Sequence, residues 1–189
     1  MRSEIALALA LLVGPAPEGG SVLLERILAV VNSHPVFLSN VRLLERVKGL
    51  SEKAALDELI DEALMGEEAA RLPQAAVTAD EEDRVYRELV SRLGGIPEDV
   101  GEAELKRLVH SQAVILKYVD FRFRTEVRIS DGDVQKAYLA QYGQSASAPA
   151  LSEVSDVLRK GLEDAQVGEK VEAWVKELRA SAEIRYNSL

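Results

Sequence analysis

Apolar positions along this chain recur with two periods, and the switches between them mark out its elements. Ile27-Leu28-Ala29-Val30-Val31 is a β-branched apolar run, followed by turn chemistry in Asn32-Ser33-His34-Pro35 and a second extended run, Val36-Phe37-Leu38. The pattern predicts a small hairpin that hands over to a helix with Ser39 as its N-cap.

Helical spacing dominates from there. Ser51 to Leu72 places Leu56, Leu59, Ile60, Ala63 and Leu64 on one stripe with Glu and Asp opposite, and it stops at Pro73. Thr78 is expected to cap a helix whose buried face is Val85, Tyr86, Leu89, Val90 and Leu93, ended by Gly94-Gly95-Ile96-Pro97. Glu102 to about Glu126 is apolar nearly all round through Leu105, Leu108, Val109 and Ala113-Val114-Ile115-Leu116, which predicts a central core helix. Within it, Phe121-Arg122-Phe123-Arg124 alternates with period two and is compatible with a strand. Val127-Arg128-Ile129 reads as extended, and Ser130 caps a helix from Asp131 to Tyr142.

Gly143 to Ala150 is a linker of small residues. Beyond it, Leu151, Val154, Val157, Leu158 and Leu162 form one helical stripe; after Gly168, Val171, Trp174, Val175 and Leu178 form a second. Ala182 to Tyr186 alternates like a half-buried strand. An isolated strand is unstable, so this one is expected to pair with Ile27 to Val31 and bring the chain ends together. The fold class that follows is mainly α, multi-helical, with a small β-sheet formed by N- and C-terminal strands.

Composition narrows the function classes. The chain has 189 residues, 47% hydrophobic and only 5% aromatic, with 23 Lys and Arg against 32 Asp and Glu and a formal net charge of -9. Such a surface repels phosphate backbones, so nucleic acid is not an expected partner. There is no Cys, which excludes disulfide frameworks, zinc knuckles and thiol nucleophiles, and with only His34 and His110 there is no multi-histidine metal site. Ile5 to Val13 (IALALALLV) followed by Gly14-Pro15-Ala16-Pro17-Glu18-Gly19-Gly20-Ser21 fits the apolar region of a secretory signal and is short for a bilayer span. Residues 1–20 are therefore expected to be an export signal. The alternatives are an uncleaved anchor and a disordered or mis-started N-terminus.

Each candidate for chemistry has a plainer explanation. His34 reads as a solvated turn residue and His110 as a partly buried structural histidine. Asp80-Glu81-Glu82-Asp83 complements a helix dipole, and Asp131-Gly132-Asp133 caps a helix without the rest of a calcium loop. Trp174 is spaced as core. GxxxxGK[ST], GxSxG and HExxH are all missing, so neither a nucleotide-driven nor a hydrolytic mechanism is indicated. No catalytic, cofactor-binding or metal-binding residue is expected.

Taken in order, Glu25-Arg26-Ile27-Leu28-Ala29-Val30-Val31-Asn32, Val36-Phe37-Leu38-Ser39-Asn40-Val41, Ala55-Leu56-Asp57-Glu58-Leu59-Ile60-Asp61-Glu62 and Val171 to Tyr186 resemble the non-catalytic part of the SurA-type periplasmic chaperones. The likeness covers about residues 25 to 187. In that family the first stretch is a strand, a turn and an extended segment, the helix pair follows, and the last stretch is a closing helix and strand. Val127 to Gly143 resembles the strap leading out of the helical domain.

The resemblance implies a domain plan: residues 21–142 a SurA-like helical chaperone domain, 143–150 a linker, and 151–189 C-terminal helices and a strand packing back on the first domain. Relatives with a parvulin isomerase carry it where the Gly143 to Ala150 linker stands. Here no His-bearing strand or glycine-rich GGDLG-type segment is found. The expected function is that of an ATP-independent periplasmic holdase, not an enzyme, which binds unfolded secreted or outer-membrane proteins, with a homodimer as one option for its working unit. A prolyl isomerase by family association and a membrane-anchored interaction protein facing the periplasm are the alternatives. The client-contact residues stay unassigned.

Overall fold

The computed structural model describes residues 25–98, 100–143 and 148–187. The expected export signal, residues 1–20, lies outside them, as do residues 144–147 of the expected linker. Strands β1 (Ile27–Val31) and β2 (His34–Phe37) form the hairpin; helices α1 (Leu38–Lys48), α2 (Glu52–Ala69), α3 (Ala79–Leu93), α4 (Glu102–Arg122), α5 (Asp131–Tyr142) and α6 (Leu151–Ser181) follow, and strand β3 (Ile184–Tyr186) comes last. The molecule is mainly helical with one small sheet.

That sheet has the order β2-β1-β3, antiparallel throughout, with Val31 opposite His34 on one side and Ile184 on the other. The strand from the end of the chain does close on the strand from its start. Asn32 is the joint. Its positive φ of 52° makes the tight turn, a conformation Asn tolerates better than most residues. Its backbone N–H donates to the Glu183 carbonyl at 2.8 Å, its Oδ1 accepts from the Glu183 N–H at 3.1 Å, and its Nδ2 donates to Glu67 Oε2 on α2 at 2.8 Å. One side chain thus ties the hairpin to the closing strand and to the second helix.

The turn is shorter than the sequence suggests: His34 and Pro35 already belong to β2. Proline is tolerated there because β2 is an edge strand. Ser39 is not the N-cap of α1. The helix starts two residues earlier than such a cap would set it, and the side chain of the cap residue, Phe37, does not satisfy its first turn. The Glu25 carboxylate does so instead, accepting from the Ser39 N–H at 3.3 Å and from the Arg26 N–H at 2.9 Å. The Ser39 side chain, and then the Arg26 N–H, hold the Glu25 carboxyl below its ordinary range. Thr78 and Ser130 cap as expected, each in a reciprocal box with Glu81 and Asp133 respectively. Gly94, left-handed at φ 74°, ends α3.

Two cores result. The first joins the inner faces of the sheet (Leu28, Ala29, Val31, Val36) to Val41, Leu43 and Leu44 of α1, Ala55, Ile60 and Leu64 of α2, and Leu105 and Leu108 of α4. The second gathers Ala69, Ala75, Tyr118, Phe123, Val127, Val167 and Trp174, and Leu178 packs against both. The α3 stripe is only half-buried, because that helix lies over α4 at the surface and not within the core.

Further down the chain, Phe121-Arg122-Phe123-Arg124 is not a strand. It is the last turn of α4 and the start of a 3-10 turn over Arg124–Glu126, and its alternation survives as Phe121 exposed and Phe123 buried. The two C-terminal stripes lie on a single helix, α6, of 31 residues. A glycine costs a helix about 1 kcal/mol against Ala, and here packing on both sides outweighs that. Arg124 binds Asp164 at 2.8 Å and Lys170 binds Glu126 at 3.0 Å, which pins α6 to the end of α4 on either side of Gly168. The N-terminal half of α6 runs back along α5: Tyr138 Oη donates to the Pro149 carbonyl at 2.7 Å, and Arg159 binds the Ile129 carbonyl and Asp131, both at 2.6 Å.

Candidate functional site

Small residues on α2 open a crevice of about 470 Å³ between that helix, β2, α1 and α4. On α2, Leu59, Ala63, Gly66 and Ala70 follow one another at steps of three or four residues, so they share a face. Beyond Leu59 this face is Ala, Gly and Ala, too small to fill the space. Leu108 and Ser111 of α4, with Glu104 and Arg107 one turn earlier, form the opposite wall. Leu43 and Asn40 of α1 close one end, and Pro35 and Val36 bring in the edge strand. Its walls are mostly apolar, while His34, Asn40 and Arg107 stand exposed at the rim. A volume in this range takes a few side chains of a bound segment.

One ionisable group faces this crevice from within the fold. Glu62 is 8% exposed, and neither of its carboxylate oxygens has a hydrogen-bond partner. Burial pushes its carboxyl up from the usual range; the Ser111 side chain and Lys48 oppose the shift, and Glu58 adds to it. Lys48 is itself held in an ion pair by Glu58. The next carboxylate along α2, Glu67, is fully engaged by Asn32 at 2.8 Å and Arg71 at 3.1 Å. Sequence reading placed the acidic residues of α2 opposite its apolar stripe and so missed Glu62. α2 touches α1, α4, α6 and both strands of the hairpin, and a helix covered on several sides has no single wet face.

The residues singled out by sequence do not converge on this crevice, apart from His34 at its rim. His110 is exposed, not partly buried, with its Nδ1 at 2.8 Å from Glu82 Oε2. Glu81 serves the Thr78 cap and an ion pair with Lys117 at 3.0 Å, and these hydrogen bonds, the Thr78 N–H first, lower its carboxyl to about 2. Asp133 completes the Ser130 cap and Asp131 pairs with Arg159. Among the described residues no group of three or more His, Cys, Asp or Glu is placed to hold a metal ion. Trp174 is core, stacked on Tyr118 and tilted against Phe123, and Arg122 lies over all three rings at 5.2 to 5.8 Å. Within residues 121–124, Phe123 is buried, Arg122 lies over the rings, Arg124 pairs with Asp120 and Asp164, and Phe121 stays exposed.

Several large apolar side chains are left in solvent: Leu116 (64% exposed) and Phe121 on α4, Leu139 on α5, and Val157 (74% exposed) on α6. The sequence pattern had counted Leu116 and Val157 among packed positions. Val157 is exposed because α5 and the first half of α6 pack chiefly on each other, which leaves their outer faces wet. Around Leu116 on α4 the buried positions are Ala113, Ile115 and Tyr118, and Leu116 faces away from them. Among the described residues no helix is long and apolar enough to cross a membrane. No protein-family model matches this chain, and no curated protein matches it.

Proposed function

We propose that the chain is an ATP-independent holdase that binds segments of unfolded polypeptides, with the α1–α2–α4 crevice as its principal contact. The observation that carries this reading is an open, mostly apolar crevice with a charged and polar rim. Broad apolar walls tolerate many side chains, and a polar rim keeps the empty site soluble. The exposed apolar residues of α4, α5 and α6 extend the surface a long client can touch. The resemblance to the SurA-type chaperones supports the same reading and adds export to the periplasm, with unfolded secreted or outer-membrane proteins as clients. Anchoring in the inner membrane, facing the periplasm, is the competing location.

Dilution of a urea-unfolded outer-membrane porin into buffer tests the proposal. Several-fold molar excess of this protein suppresses the rise in light scattering without ATP; an unchanged rise overturns the reading. The N-terminal residue of the protein recovered from cells decides between export and anchoring. A start between Ala16 and Val22 supports a released periplasmic protein, and an intact Met1 in membranes supports the anchor.

A further inference from the structure

We propose that the crevice selects client segments in which an Arg or Lys lies between apolar residues, and that the Glu62 carboxylate is the group that meets the cation. This rests on the crevice being the polypeptide-binding site.

Glu62 is the one residue of the crevice wall whose chemistry is left incomplete by the fold. Both of its oxygens are closed off from water and neither accepts a hydrogen bond. A buried polar group in that condition is costly and asks for a donor. The fold supplies no charged one: Lys48 is held by Glu58, Asn32 and Arg71 are committed to Glu67, and the Ser111 hydroxyl that acts on Glu62 is neutral. A ligand is the remaining source. Charge decides which kind. Glu62, Glu67 and Glu104 line the crevice against the single cation Arg107, in a chain of net charge -9. An acidic segment meets repulsion here, and a wholly apolar one fills the walls but leaves Glu62 without a donor. An Arg or Lys satisfies both parts of the site, because its methylene stem lies along Leu59, Ala63 and Leu108 while its charged end donates to the carboxylate. Glu62 lines the crevice while its two oxygens are closed to water, so the proposed contact requires its side chain to turn toward the bound cation.

The test uses two short end-blocked fluorescent peptides, identical except that one carries Arg and the other citrulline between Leu and Val residues. Citrulline keeps the shape and loses the charge. Wild-type protein is expected to bind the Arg peptide at least about tenfold more tightly. Glu62→Gln should bind both peptides equally, near the citrulline value. Equal affinities in the wild type, or a preference that survives in Glu62→Gln, overturn the proposal while leaving the crevice as a peptide site; the former points to main-chain donors instead. Binding of neither peptide overturns the crevice reading as well. A second readout does not depend on the variant folding: the carboxyl carbon resonance of Glu62 in the wild-type protein should move on addition of the Arg peptide and stay in place with the citrulline peptide. A resonance that responds to both alike overturns the proposal.

Discussion

Trp174, in the last third of α6, lies on Tyr118 of α4 with ring centroids 5.1 Å apart and planes 21° from parallel. This contact holds the C-terminal helix against the rest of the molecule, and through it positions β3 beside β1. Trp174→Ala is expected to cost about 3–5 kcal/mol, the range for removing a buried large aromatic side chain. Urea unfolding followed by far-ultraviolet circular dichroism checks this. A loss below about 1 kcal/mol would mean that α6 is docked by its ion pairs, Arg179 with Asp61 among them, and not by its ring.

Glu62 weakens the fold that buries it. Its carboxyl is raised by burial, so the neutral form is favoured in the folded state. Below the unfolded value, about 4.5, the group is neutral folded or unfolded and its burial costs least. As pH rises the unfolded chain ionises first, and stability is lost until pH has passed the folded value. Glu62→Met is expected to stabilise the protein at pH 7 by about 1–3 kcal/mol, with a gain that shrinks as pH falls toward 4. Paired melting curves across that range read it out. A gain that does not vary with pH would mean that packing, not ionisation, sets the effect.

Glu81 behaves in the opposite sense. Its carboxyl is lowered to about 2 by the Thr78 N–H, Lys117 and the Thr78 hydroxyl, so its contribution is present above the unfolded value and is lost as pH falls from there toward 2. Glu81→Gln should lower the melting temperature at neutral pH. The difference from wild type should close as pH falls through that window. If the two proteins melt alike at pH 7, the cap and the Lys117 pair add nothing to stability.

The parts of this fold that were legible in sequence are those set by local chemistry. Thr78 and Ser130 declare their helices through an acidic partner three residues on, and the β-branched runs around Asn32 declare the hairpin. Pairing of the terminal strands followed because neither short strand is stable alone. What failed was set by distant partners. Ser39 has cap chemistry, but Glu25, fourteen positions earlier, occupies the helix start. Gly168 looks like a break between two helices until Asp164 and Lys170 are seen gripping the end of α4. The crevice was illegible for the same reason. It exists because the small face of α2 lies opposite α4, and its ionisable residue resembled one more acid on a wet helix face.

Gly66 offers the most direct test of the crevice as the client site. It lies inside an α-helix on the crevice wall, and a Cβ built there would meet no atom within 4 Å beyond its chain neighbours and its own helix backbone, so a large side chain enters the crevice and not the core. Gly66→Trp should fold with a melting temperature no lower than wild type, since replacing a helical glycine removes a penalty of about 0.5–1 kcal/mol. The decisive measurement is light scattering of a urea-diluted porin in the presence of each protein. Wild-type protein suppressing aggregation while folded Gly66→Trp does not is the predicted result; equal protection by the two would contradict the account.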